Sequence, residues 1–126
     1  MNRVIAALSD ERRIEELYSR LSDIYEQIRK ERRVDVFGML DFEVVRNIDG
    51  NKHRIAKLKG NKIIVHSNAR RLPKSALRYI IAHEIAHTLT KRHTKRFWKI
   101  VATIYPKFET GQRLLMKYGS ELNLQD

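Results

Sequence analysis

His83-Glu84-Ile85-Ala86-His87, with His93 six residues further on, decides how this 126-residue chain is read. Residues four apart on an α-helix differ by about 40° around the axis and about 6 Å along it, so the His83 and His87 imidazoles converge on one point. Glu84 stands about 100° round from His83, near that point yet displaced from it. That position suits acting on a water held there better than it suits ligating a metal. A catalytic zinc keeps three protein ligands and one open position, and His93 is the candidate for the third. On a continuous helix His93 would lie about 15 Å along the axis from His83, so the chain has to turn back between Thr88 and Arg92. The two threonines and the lapse of apolar periodicity there permit it. Only five histidines occur in the chain. Three of them fall in this stretch and two bracket a glutamate, which separates the pattern from scattered surface histidines.

The longer run RRLPKSALRYIIAHEIAH, residues 70–87, continues into His93-Thr94, Arg96-Phe97-Trp98 and Tyr105-Pro106. Together these resemble the YgjP-like predicted metal-dependent hydrolases, relatives of the WLM and SprT-like zinc proteases. The match covers about residues 63 to 110, and Pro73, the spacing to the third histidine and Phe97-Trp98 all fall in place. Arg92 stands where the family often has asparagine, Ile85 replaces the usual leucine, and the chain is shorter than typical members. The resemblance implies a zinc metallopeptidase fold with His83, His87 and His93 as ligands of Zn2+ and Glu84 as general base. A peptide or protein is then the substrate. Two alternatives to this reading belong to other classes. One is a SprT-like protease that acts on DNA-bound proteins, and the other is a non-catalytic, zinc-stabilised module that binds DNA or protein.

Outward from the motif, Pro73 suits a helix start because it has no N–H to leave unpaired. Leu77, Ile81 and Ile85 form a buried stripe, with the histidines on the far side. Tyr79 reads as a packing residue. After His93, Thr94 is an N-cap for a helix over about Lys95 to Tyr105, with Phe97, Trp98, Val101 and Ile104 as its apolar face. Pro106 stops it. A last helix spans about Glu109 to Tyr118, carrying Leu114, Leu115 and Met116, and the tail from Gly119 is expected to fray. Tyr105 or an arginine of the adjacent basic cluster is a candidate stabiliser of the oxyanion, without a choice between them.

Upstream, Ile14, Leu17, Leu21, Ile24 and Ile28 alternate spacings of three and four, widened by Tyr18 and Tyr25. They predict a helix from Asp10 to Arg33, N-capped by Ser9, whose seam is too short for a coiled coil and so packs on the domain itself. Between the helices, Val34 to Phe37, Phe42 to Ile48, Arg54 to Leu58 and Lys62 to His66 are β-prone, and Asp49-Gly50 and Gly60-Asn61 punctuate them as hairpin turns. This predicts an antiparallel β meander. The strand Ile63 to His66 is the expected sheet edge beside the site, able to hold an extended peptide by backbone hydrogen bonds. His66 and His53 read as surface histidines.

The whole is expected to be one α+β, zincin-like domain over residues 1–126, with a helical segment at 1–33 and the meander and metal-site helices at 34–126. No run approaches the length of a membrane span, the N-terminus lacks a signal-peptide pattern, and the chain is read as cytoplasmic. With no cysteine, disulfides and thiolate ligands are excluded, leaving histidine and carboxylate. Twenty-six basic against fifteen acidic residues give a net charge of +11. Clusters at Arg29, Lys30, Arg32 and Arg33, at Arg70, Arg71, Lys74 and Arg78, and at Lys91, Arg92, Lys95, Arg96 and Lys99 make nucleic acid a possible partner.

Overall fold

A computed structural model describes residues 3–32 and 40–125 of the chain; the expected strand from Val34 to Phe37 lies outside them. Helix α1 spans Arg3–Arg32. It starts upstream of the expected N-cap, because residues 4–8 are Val-Ile-Ala-Ala-Leu and the alanines and leucine extend a helix readily. Ser9 and Asp10 are therefore interior, and Asp10 instead pairs with Arg46 at 2.9 Å. Leu17, Leu21, Ile24 and Ile28 form the buried stripe, joined by Tyr25, which meets the Phe42 ring edge-on at 5.9 Å. The seam packs on the molecule's own sheet and motif helix.

Among the described residues three strands follow: β1 (Asp41–Val45), β2 (Ala56–Lys59) and β3 (Lys62–His66), in the order β1-β3-β2. The sheet is mixed and not an antiparallel meander, because β1 runs parallel to β3 while only β2 and β3 are antiparallel. Gly60-Asn61 does make a hairpin turn, with φ positive at Gly60 alone, the pattern of a type II′ turn. Asp49-Gly50 also turns tightly, with φ of 53° and 77° and mutual Ile48–Asn51 backbone bonds. That turn closes on itself and does not continue into a ladder, so residues 51–55 carry the chain across and leave β3 in the middle. The physical reason is composition. β3 holds Ile63, Ile64 and Val65 and can be covered on both faces, whereas Ala-Lys-Leu-Lys of β2 suits an edge.

After β3, residues Ser67–Arg71 form a single 3-10 turn. Arg20 of α1 donates to the carbonyls of Arg70 and Leu72 at 3.0 and 3.2 Å, which fixes the entry to the next helix. That helix, α2, spans Lys74–His87 with Pro73 at the N-cap and not inside the first turn. It is buried on nearly all sides, not along one stripe: Ala76, Leu77 and every residue from Tyr79 to Ala86 are covered. A helix covered on nearly all sides belongs in the centre, and α1, β2 and the two following helices surround it. Those are α3 (Lys95–Ile104) and α4 (Phe108–Glu121).

Helix α4 crosses α2 at Gly111, where a β-carbon would lie 2.5 Å from the Ser75 carbonyl oxygen and 2.8 Å from Tyr79 Cβ. Only glycine permits that approach. The expected fraying beyond Gly119 does not occur. Asn123 takes φ of 58°, Leu124 N–H donates to the Gly119 carbonyl and Asn123 N–H to that of Ser120, which together form a Schellman cap. Leu124 is buried, and Gln125 exchanges backbone bonds with His53 and Ile55. Among the described residues, no helix is long and apolar enough to cross a membrane.

Candidate metal centre

The last turns of α2 carry His83 and His87 on one side, as their spacing requires. Beyond His87 the helix stops. Thr88 Oγ1 donates back to the Ile85 carbonyl at 2.6 Å, and the N–H groups of Leu89 and Thr90 both reach the Ala86 carbonyl. The chain then reverses through residues 89–92, and Thr94 caps α3 by accepting from Phe97 N–H. His93, just before that cap, is thereby turned back onto α2. One nitrogen from each of His83, His87 and His93 lies within 4.8 Å of the others, a group able to hold a metal ion. His93 Nε2 stands 3.1 Å from His87 Nε2.

Two features prepare these rings. His87 Nδ1 lies 3.2 Å from the Thr90 carbonyl, which can only accept, so Nδ1 carries the proton and Nε2 presents its lone pair to the cluster. Burial, reinforced by the neighbouring His83, holds this imidazole below the usual histidine range, so it is neutral near pH 7. Beneath the cluster, the fully buried Phe97 ring sits 5.1, 4.7 and 4.8 Å from the rings of His83, His87 and His93. Trp98 borders His83 and His93, both at 6.2 Å. The Phe-Trp pair read from sequence as an apolar helix face is thus also the floor that orients the histidines. Glu84 is 5% exposed, with Oε1 3.5 Å from His83 Nδ1, so the carboxylate sits beside the cluster without being one of the three converging groups.

The cluster opens on a cleft of about 700 Å³. Its lining includes His83, Glu84, His87 and His93 from the motif, Lys91 from the loop between them, and residues around Arg54, Ala56 and Leu58. The edge strand at this cleft is therefore β2. The expected candidate, Ile63 to His66, is the central strand, hydrogen-bonded on both sides. His66 is also not a surface histidine: it is 4% exposed, and its Nδ1 accepts from Asn68 N–H to cap the 3-10 turn. His53 is exposed, on the cleft lining, with Nδ1 3.0 Å from the Asn123 carbonyl. Tyr79 is buried and accepts from Gln112, as a packing residue would. Tyr105 packs under the Arg78 guanidinium and is not part of the cleft lining. The part of the lining that sequence reasoning missed, Asn51, Arg54, Ala56 to Leu58 and Gln125, carries no motif. Its one local signal is the lysine alternation that marks β2 as an edge.

Residues 51–118 match the family described as YgjP-like, metallopeptidase domain. No curated protein matches the chain. The crystal structure of the metallopeptidase zymogen of Pyrococcus abyssi abylysin is similar in fold, with a TM-score of 0.65 at 20% identity over 83% of this chain and 97% of that one. The family match spans more than half of the chain and encloses every histidine of the cluster together with Glu84, so this protein belongs to the YgjP-like metallopeptidases, a family of hydrolases.

Proposed function

We propose that the protein is a zinc-dependent peptidase in which His83, His87 and His93 hold the metal and Glu84 is the general base, within one domain over residues 1–126. The observation that carries this is the convergence of three imidazole nitrogens within 4.8 Å beside a buried carboxylate. The donor set fits zinc. Three histidine nitrogens are a donor set that zinc takes; they lie within 4.8 Å of one another, and those of His87 and His93 stand 3.1 Å apart. Neutral imidazoles with the outer nitrogen bound to a carbonyl are the usual form of such ligands. When bound, zinc supplies Lewis acidity, making a water acidic near neutral pH and polarising a carbonyl oxygen.

The chain's own residues do the rest. Glu84 takes the proton from the attacking water and returns it to the leaving amine, so the same oxygen serves first as base and then as acid. Phe97 and Trp98 keep the imidazoles from swinging out of register. Among the described residues no strand pairs with the outer edge of β2, which is open to a substrate. His66 N–H bonds to the Ile55 carbonyl, so the alternating register turns the backbone of Ala56 and Leu58 away from β3, where an extended peptide can pair.

A second reading has an observation in its favour. Lys91, Arg92, Lys95, Arg96 and Lys99 are exposed at and after the histidine loop, and none forms an ion pair among the described residues. A nucleic-acid-associated protease of the SprT-like kind would use such a surface, and its DNA binding would weaken steeply with salt. The test of the main proposal is Glu84→Gln, which should retain about one zinc per chain and lose peptide hydrolysis by about 10²-fold or more. Undiminished turnover in that variant would remove Glu84 from the mechanism, and a zinc-loaded wild type that cleaves nothing would favour a zinc-stabilised binding module.

A further inference from the structure

We infer that the cleft selects peptides with an acidic side chain beside the bond to be cleaved, read by Arg54 and Lys91; this rests on the peptidase function proposed above. The described lining of the cleft contains Arg54, Lys57 and Lys91, and Glu84 is its sole carboxylate. Lys57 is held by Asp49. Arg54 and Lys91 have no ion pair among the described residues.

Arg54 is also positioned. Its Nε donates to the Ala56 carbonyl at 3.2 Å, at the free edge of β2, which leaves its terminal nitrogens able to receive a planar carboxylate through paired hydrogen bonds. Lys91 reaches the same cleft from the loop between His87 and His93, so cations approach a bound peptide from two separate parts of the chain. A concave site in which cations outnumber carboxylates has a net positive field, which concentrates negative charge. A recess of about 700 Å³ admits an extended peptide and not a nucleic-acid duplex, which is why a peptide is the better match to these two cations despite the net charge of +11.

The experiment uses zinc-loaded Glu84→Gln protein and three labelled short peptides identical except for Asp, Asn or Lys beside the central bond. Fluorescence anisotropy should rank them Asp, Asn, Lys, with the Asp peptide bound about tenfold or more tightly than the Lys peptide, the order expected of one charge-assisted pair. Arg54→Glu and Lys91→Glu should each shrink that ratio, and the double variant should invert it. Using both guards against a local disturbance of β2 by the Arg54 change alone. In wild type, kcat/KM for the same peptides should follow the same ranking. Equal binding of the three peptides, or a preference untouched by both charge reversals, overturns the inference. So does displacement of the Asp peptide by a short DNA duplex whose own binding falls equally in Arg54→Glu, which would assign the cations to nucleic acid. If wild type cleaves none of the peptides while the charge-dependent preference in binding persists, the peptidase proposal fails and acidic recognition stands.

Discussion

Helix α2 assembles His83, Glu84 and His87 through geometry that acts over four residues, whereas the lining around Arg54, Ala56 and Leu58 exists only because residues 53–58 are paired with β3 and with Gln125. The first arrangement is written in one short segment. The second requires contacts between positions far apart in the chain, and nothing in the local sequence specifies them. The chemistry of the site is therefore concentrated where the chain is locally determined, and its shape comes from long-range pairing. His93 stands between the two cases, because its distance in sequence is legible but its position depends on the reversal at residues 88–92.

If the histidine side is held in place by packing as well as by helix geometry, Phe97→Ala should have the largest effect. Removing a fully buried ring costs about 3–5 kcal/mol, and loosening three imidazoles at once should weaken zinc binding by about tenfold or more. Urea denaturation and a competitive zinc chelator would measure the two together. A loss of stability with unchanged zinc affinity would show that α2 alone orients the rings.

Gly111→Ala tests the next contact out, where α4 rests on α2. Alanine favours a helix, yet its β-carbon would sit 2.5 Å from the Ser75 carbonyl, so a destabilisation of about 1–3 kcal/mol is expected despite the better propensity. A gain in stability would mean that α4 can move away freely, and that α2 is less tightly held than the packing implies.

His66, at the end of β3, tests the sheet side and should give the smallest effect. Burial holds its imidazole below the usual histidine range, and its neutral Nδ1 accepts from Asn68 N–H. The unfolded chain takes up this proton near pH 6.5 and the folded chain only at lower pH. The stabilisation is thus complete above about pH 6.5 and is lost as pH falls toward the folded-state value. Urea midpoints at about pH 7.5 and about pH 5 should fall further for wild type than for His66→Asn, whose side chain can cap without titrating. An equal fall would exclude His66 as a source of the acid sensitivity.

The same contrast explains what could be read from the sequence. The three-histidine group, the Thr94 cap and the apolar stripe of α1 all follow from periodicity or from a single residue's chemistry. The mixed sheet did not follow, because Asp49-Gly50 has the composition of a hairpin turn and only tertiary pairing shows that its flanks part. The choice of β2 as the edge was recoverable from Lys57 and Lys59 flanking Leu58, a pattern unsuited to a covered strand. The docked segment at Leu124 and Gln125 had a weaker signal, Asn123 followed by Leu124, which is the residue order of a Schellman cap. His66 was misplaced because burial of a lone histidine depends on a partner that no local pattern announces. The start of α1 was displaced because Ser9 resembles an N-cap whenever the helix-favouring residues before it are discounted.

The most direct test of the central claim is metal content by elemental analysis of natively purified protein, wild type beside His93→Ala. The account predicts about one zinc per chain in wild type and its loss in the variant, since His93 completes the group that α2 begins. Full zinc retention in His93→Ala, or no tightly bound zinc in wild type, would contradict it.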